Sequence, residues 1–502
     1  MIYLIRKSFL KNAAAVSAVS LIMSTVGIFF RTYVSNRVGA EVLGLLQLVL
    51  SVYYPACTLA SSGVYVASTR LCAEALARKD RSVKKILNNC LLYGILFGAG
   101  TFVLLFFGAE GIARHWLHCP QAETPLKILA FALPFLSAAN SLQGFFLSLR
   151  KATYSTILQV TEDLSKIGGT VLLFTLFLDR GPNAALCALV AGMALGEISS
   201  CIFGYWLYLK KASSLNNPNT PAKNLFSEVA KIALPCAFSA YIRSGIGMVE
   251  GILVPQGLKA SGLTQEQALS AIGKLEGMAI PVILFPAALL AVVSKLLVPE
   301  ITAENAIGHK DDNKKTTESV LQWTLTYAMF VCVFVLLFGK ELGLALYSDG
   351  TCGTYIMLLA PIVPILYCDR VTDGIMKGYN RQLDTMKINL AESILQTAGA
   401  LFILPHTGIC GYFALFCSGA AFNFILSFRS LKRECGIRFP FRKGVLIPMT
   451  AALAAMLPLK IFAKLAKGSV LLIGALSIPM FLLFLYGLTD RKRHKKFILP
   501  YP

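Results

Sequence analysis

The sequence predicts an all-α polytopic membrane protein, and three observations point that way. The 502 residues are 56% hydrophobic and only 15% charged, where a soluble domain carries about 25% charged residues, and the mean hydropathy is +0.66. Fourteen apolar stretches approach or reach the roughly 17–25 residues needed to cross a bilayer. Lys and Arg gather in alternate connections between them, as cytoplasmic loops of membrane proteins do.

The first stretch, 13–30, follows Arg6, Lys7 and Lys11. It is too long for a cleaved signal segment and reads as an uncleaved span. The next five fall at 42–66, 87–107, 126–148, 156–178 and 184–208. The segment NNPNTPAK (216–223) has the turn-rich composition of a connector. A second series follows at 232–254, 277–298, 320–338, 354–376, 388–404 and 408–428, then two more at 444–462 and 468–488. Each run is continuous rather than alternating, which favours helices over barrel strands. The expected organisation is a six-helix bundle over 1–211, a cytoplasmic connector over 212–231, a second six-helix bundle over 232–430, and two extra helices with a basic tail over 431–502.

With the N-terminus inside, the inner segments hold thirty-two Lys and Arg and the outer segments eleven. The loop with Arg78, Lys79, Arg81, Lys84 and Lys85 and the tail RKRHKK (491–496) lead the inner set. The net charge of +21 therefore reflects orientation in a membrane and not a nucleic-acid partner. Both termini are expected in the cytoplasm. No connection is long enough to form a domain of its own.

The chain repeats itself at an offset of 230 residues. Pro134 aligns with Pro364, Gly144 with Gly374, Glu162 with Glu392, Gly169 with Gly399, Gly181 with Gly411 and Cys187 with Cys417. Ala73-Glu74 aligns with Ala303-Glu304 in the same register, and Ser148 stands opposite Gly378. Proline, glycine and intramembrane glutamate in one register carry more weight than leucine identities, because each has its own backbone or electrostatic role. Six helices per repeat keep both halves in the same orientation, related by an axis along the membrane normal, and two such bundles can rock against each other around a central cavity for alternating access.

Ionisable groups at bilayer depth cost about 2.5–3.5 kcal/mol each on insertion scales, so they face a cavity or a partner. The fifth span holds Glu162, Asp163 and Lys166, at spacings where the lysine reaches either carboxylate. The seventh holds Arg243 and Glu250, seven residues apart and on one face; the tenth holds Asp369, Arg370 and Asp373. Glu197 and Glu392 fall in the sixth and eleventh, and Lys295 is placed to snorkel to the inner surface. Two readings stand for these groups: neutralising pairs that fix helix packing, or the lining of a transport cavity. An arginine such as Arg243 suits a phosphate, which it binds bidentately.

Other chemistries leave no mark. No GxxxxGK[ST] loop occurs, which argues against ATP hydrolysis. The thirteen cysteines form no CxxC pair. Cys119 and Cys352 fall in expected outer loops, where pairing and two free thiols are both open. His115, His118 and Cys119 read as a polar loop, and no metal is expected.

The segments SSGVYVASTRLCAE (61–74), NSLQGFFLSLRKATYSTILQVTEDL (140–164), DGIMKGYNRQLDTMKINLAESI (373–394) and LPHTGICGYFALFCS (404–418) resemble the stage V sporulation protein B group of polysaccharide-export proteins. That group belongs to the superfamily of MATE exporters and MurJ-type lipid flippases. The resemblance implies two six-helix bundles with two extra helices in a bacterial cytoplasmic membrane. It also implies flipping of an undecaprenyl-pyrophosphate-linked oligosaccharide or peptidoglycan precursor for cell-wall or spore-cortex synthesis. Coupling would be to H+ or Na+ rather than to a bound cofactor, and wall-synthesis enzymes are candidate partners.

For such a substrate Arg243, Lys166 and Arg31 are the candidate cationic groups. A MATE-like exporter of cationic small molecules would instead use Glu162, Asp163, Glu250 and Asp373, with Asp369 and Glu392 completing the cavity carboxylates. A membrane-embedded transferase would need an acidic metal loop or an intramembrane histidine, and neither is present. A non-transporting scaffold for wall synthesis is the remaining alternative. Topology offers the first test. Accessibility of single introduced cysteines should place Lys84 and Lys314 inside and Glu123 and Ser348 outside; an odd number of crossings between Lys84 and Lys314 would overturn the repeat.

Overall fold

The computed structural model describes residues 2–78, 82–149, 152–212, 224–307, 310–466 and 470–488. Among them the helices are α1 (Ile2–Ser61), α2 (Val64–Arg78), α3 (Val83–Gly111), α4 (Glu123–Ala130), α5 (Leu133–Ser148), α6 (Ala152–Phe177), α7 (Pro182–Ala212), α8 (Leu225–Ala260), α9 (Gln265–Ile272) and α10 (Ile280–Leu284). They continue as α11 (Ala287–Ile307), α12 (Lys310–Tyr347), α13 (Gly350–Leu359), α14 (Val363–Gly378), α15 (Gln382–Phe402), α16 (Leu404–Cys435), α17 (Ile447–Ala466) and α18 (Val470–Leu488). No strand occurs among the described residues.

Nine of these helical stretches are long and apolar enough to cross a membrane, or ten if the pair Pro120–Ala130 and Leu133–Ser148, bent by 43°, is one span. The difference from fourteen has physical causes. α1 counts once although Gly39, at φ 79, breaks it. α6 and α15 carry charged residues along their length and are not among the nine, and the last expected stretch enters only as the shorter apolar helix Leu476–Tyr486.

The repeat is visible in the element boundaries. α5 and α14 begin and end 230 residues apart, at 133–148 and 363–378, and α6 and α15 both begin at that offset. Pro134 and Pro364 occupy the first turn of α5 and α14, where a missing N–H costs no helical hydrogen bond. Each helix thus restarts after a short break behind α4 or α13. His118 and Ser348, also 230 apart, take the same left-handed conformation at φ 50 and φ 53. Asp349 then caps α13, accepting from the backbone N–H of Thr351 at 2.7 Å and of Cys352 at 3.2 Å. Burial pushes its carboxyl up, but the Lys274 ammonium at 2.9 Å and the two N–H groups outweigh that and hold it below the usual carboxylate range.

The chain forms two compact units. The first is Met1–Phe30 with Arg37–Gly273, and the second is Arg31–Asn36 with Lys274–Pro502. In the first, a core of Tyr93, Phe145, Phe146 and Leu158 joins α2, α3, α5 and α6 to the start of α8. In the second, Val333 and Phe338 of α12 pack on Ala451, Ala455 and Met456 of α17 and on Phe481 of α18. The expected connector lies largely outside the described residues, as do the basic tail and the side chain of Lys295. Cys119 and Cys352 are free, buried thiols.

Small residues set the closest approaches, as expected where helices pack without a hydrophobic driving force between them. A Cβ on Gly44 of α1 would stand 1.8 Å from the carbonyl oxygen of Leu269 in α9, and one on Gly273 would stand 1.8 Å from that of Ala40. Gly44→Ala and Gly273→Ala are therefore each expected to lower the thermal unfolding temperature of the purified protein, by the about 1–3 kcal/mol that overpacking costs. Gly100, with nothing within 4 Å of its would-be Cβ, should accept Ala without loss. An unchanged unfolding temperature in Gly44→Ala would show that α1 and α9 do not meet through their backbones.

Candidate functional site

Each unit contains a polar cluster in an apolar setting, and the two clusters are built around repeat mates. Glu162 is the eleventh residue of α6 and Glu392 the eleventh of α15. In the first unit Lys166 lies 3.3 Å from Asp163, one turn back on the same helix. α7 rests directly on this turn: a Cβ at Gly196 would stand 2.9 Å from the Glu162 carbonyl oxygen and 3.1 Å from Lys166 Cβ. That contact brings Glu197, the next residue, within electrostatic reach of Glu162, Asp163 and Lys166. Tyr53 and Cys57 of α1 lie within reach of both glutamates.

In the second unit α14, α15 and α16 supply the groups. Asn423 of α16 donates its amide to Asn389 Oδ1 at 2.8 Å and to the Glu392 carboxylate. Gln396 donates to the other Glu392 oxygen at 3.1 Å, and Ser427 lies 3.2 Å from Asn423 Oδ1. Asp369 is within electrostatic reach of Asp373, Glu392 and Arg370. Its Oδ1 is buried without a hydrogen-bond partner among the described residues. Gly374 positions α14: a Cβ there would stand 1.8 Å from Ser294 Oγ of α11.

The repeat therefore conserves position and changes chemistry. Lys166 has Gln396 as its mate and Glu197 has Ser427, while Asp369 and Asp373 stand opposite Ala139 and Gln143. Charge sits on α6 and α7 in one unit and on α14 and α15 in the other. Both clusters are net acidic, three carboxylates to one cation in each.

The expected cationic groups have different surroundings. Lys166 is taken up by Asp163. Arg31 belongs to the second unit, within electrostatic reach of Tyr347. Arg243 is exposed on α8 in the first unit, with no ion pair or hydrogen bond among the described residues. α8 is anchored to α1 through other residues: Ser244 to Thr58 at 2.8 Å, Tyr241 to Ser62 at 2.5 Å, and Gly251 against Ser51. Glu250, half-buried, shares the Arg243 side of the helix. Among the described residues no group of three or more His, Cys, Asp or Glu is placed to hold a metal ion.

Sequence reasoning passed over Asn389, Gln396 and Asn423, which look like ordinary polar interruptions of apolar runs. Spacing around Glu392 was the available signal, since Asn389 and Gln396 lie one turn before and after it. It also passed over Glu276, which sits in a π-helical stretch, Gly273–Ala279, and accepts from the Tyr412 hydroxyl of α16.

Residues 9–259 match the model of the family described as polysaccharide biosynthesis protein. The chain is 25% identical over 424 residues to stage V sporulation protein B of Bacillus subtilis (strain 168), covering 81% of this chain and 80% of that one. Its fold is that of the lipid II flippase MurJ in an inward closed conformation, at a TM-score of 0.71 with 13% identity over 94% of this chain and 98% of that one. An inward-facing multidrug-resistance MATE transporter matches at 0.65, with 13% identity over 84% of this chain and 98% of the transporter.

The paired glutamates generate a direct test. Glu162→Gln and Glu392→Gln keep the shape and remove the charge, and at 392 one of the two bonds accepted from Asn423 and Gln396 is lost as well. Each is expected to cut transport roughly ten-fold, equivalent to about 1.4 kcal/mol, or to displace its pH dependence, at unchanged protein abundance. If abundance falls while activity per molecule is retained, both residues serve packing alone.

Proposed function

We infer that this chain, which belongs to the polysaccharide biosynthesis protein family, is a flippase for a lipid-linked saccharide. The substrate class is an undecaprenyl-pyrophosphate-linked oligosaccharide or peptidoglycan precursor, moved by alternating access for cell-wall or spore-cortex synthesis. The chain crosses the bacterial cytoplasmic membrane fourteen times with both termini inside, and it works as a transporter, not an enzyme. The observation that carries this reading is the pair of half-buried acidic clusters, built around repeat mates, in a MurJ-like fold.

The division of labour follows from the charges. Two clusters with three carboxylates and one cation each suit an inorganic cation or a proton, which offsets the repulsion between neighbouring carboxylates. They are the coupling sites of this reading, with Glu162, Asp163 and Glu197 in one and Asp369, Asp373 and Glu392 in the other. Arg243 is exposed on α8 and has no acceptor among the described residues. A substrate pyrophosphate supplies that acceptor. Lys166, already paired, supports the cluster, and Arg31 is a secondary contact.

The same net acidity supports a second reading, an ion-coupled exporter of cationic small molecules, in which the carboxylates bind the substrate itself. Arg243 separates the two. A hydrogen bond to a charged group is worth about 1.5–3 kcal/mol, so Arg243→Ala should slow flipping of a lipid pyrophosphate about ten- to hundred-fold in liposomes containing the purified protein. Arg243→Lys should recover only part of it, because an ammonium lacks the planar fork. Full activity of Arg243→Ala toward the lipid pyrophosphate, with Glu250→Gln severely impaired toward a cationic dye, would establish the exporter instead.

A further inference from the structure

A second pocket lies in the first unit, lined by none of the residues of the acidic cluster there. The reciprocal glycine contact between α1 and α9 draws α9 down onto α1, and the turn at Gly262 (φ 103) returns the chain from α8. A capping box fixes the start of α9: Thr264 accepts from the Gln267 N–H at 3.2 Å, and the Gln267 side chain accepts from the Thr264 N–H at 3.1 Å. Between this corner and the Trp116–Cys119 turn lies a pocket of about 250 Å³.

Its floor is apolar and buried, with Leu48, Leu117, Pro255 and Leu269. Its rim is polar, and its parts hold one another in place. Gln256 donates to the Trp116 carbonyl at 3.1 Å, Lys259 to Gln265 Oε1 at 3.2 Å, and Gln265 to the His118 carbonyl at 3.4 Å. The His118 ring lies 3.4 Å from the Gln256 amide. Lys259 is the only lining residue with a full charge at neutral pH, and no carboxylate lines the pocket. An ammonium with N–H groups to spare, beside two carboxamides and an imidazole, calls for an acceptor with negative charge.

The volume is below the roughly 300–1,000 Å³ of sites that enclose a drug-sized molecule, so it admits a headgroup rather than a whole amphiphile. Trp116, whose carbonyl anchors the rim, is 54% exposed, as suits a tryptophan at a membrane–water boundary. We propose that this pocket binds the phosphate headgroup of an anionic amphiphile, with Lys259 as the charge partner, Gln256 and Gln265 holding the rim around it, and the leucine floor under the adjoining carbons. The proposal does not depend on which substrate crosses the membrane.

Tryptophan fluorescence gives the test. The chain has three tryptophans, so Trp206→Phe with Trp323→Phe leaves Trp116 as the sole reporter in the full-length protein. In neutral detergent this protein is titrated with dihexanoyl phosphatidic acid, inorganic phosphate and dihexanoyl phosphatidylcholine. Phosphatidic acid should produce a saturable change, with phosphatidylcholine and the added Lys259→Gln variant each about ten-fold weaker, as for loss of one charge-assisted bond. Gln256→Leu, which keeps the charge, should weaken binding to a smaller degree. A midpoint for inorganic phosphate equal to that of phosphatidic acid supports the anion site with a free phosphate as occupant, and a weaker one supports the lipid headgroup. No saturable response to either anion, or titrations of parent and Lys259→Gln that superimpose, overturns the proposal.

Discussion

Inside a bilayer there is no water to satisfy a polar group, so every such group must be answered from within the protein. That constraint accounts for the helical backbone, for the scarcity of charge and for the way the remaining charges are housed. Glu392 is held by the amides of Asn423 and Gln396, and Lys166 by Asp163. Even hydroxyls turn back on their own helix, as Thr101 does to the Phe97 carbonyl at 2.8 Å. Groups that this accounting leaves over, such as the Asp369 oxygen and the Arg243 guanidinium, are the ones with capacity to bind something else.

Helix contacts obey the same economy. Because lipid is as apolar as leucine, burial of leucine does little to bring helices together, and close approach depends on small side chains. Gly196 against the Glu162 turn and Gly374 against Ser294 are such approaches, and each sits beside a charged cluster. Positioning of the polar groups is therefore a consequence of backbone contact: α7 can present Glu197 to Glu162 only because residue 196 has no Cβ.

The two halves share element boundaries at an offset of 230 residues and differ in the polar chemistry set on them. The breaks at His118 and Ser348 and the prolines at 134 and 364 are retained, because each sets the direction of the chain. The side chains around Glu162 and Glu392 diverged, from Lys166 and Glu197 to Gln396 and Ser427. A change of polar side chain at a fixed backbone position alters what is bound without altering how the helices pack. The corner at 118 shows a further divergence: Asp349 caps α13 in one unit, where Cys119 stands in the other.

Much of this was legible in the residues themselves. Apolar run length, the register of Pro134 with Pro364 and the pairing of Glu162 with Glu392 sufficed for the fold class and the repeat, because span length, proline and intramembrane charge have consequences fixed by local chemistry. Which polar groups meet was another matter. Glu197 carried no partner in its own helix, and Asn423 lay in an ordinary apolar run. The placement of Glu197 and Asn423 follows from where α7 touches α6 and where α16 touches α15. Such contacts join residues far apart in the chain through the absence of a side chain at one glycine, a feature that only the assembled helices give meaning to.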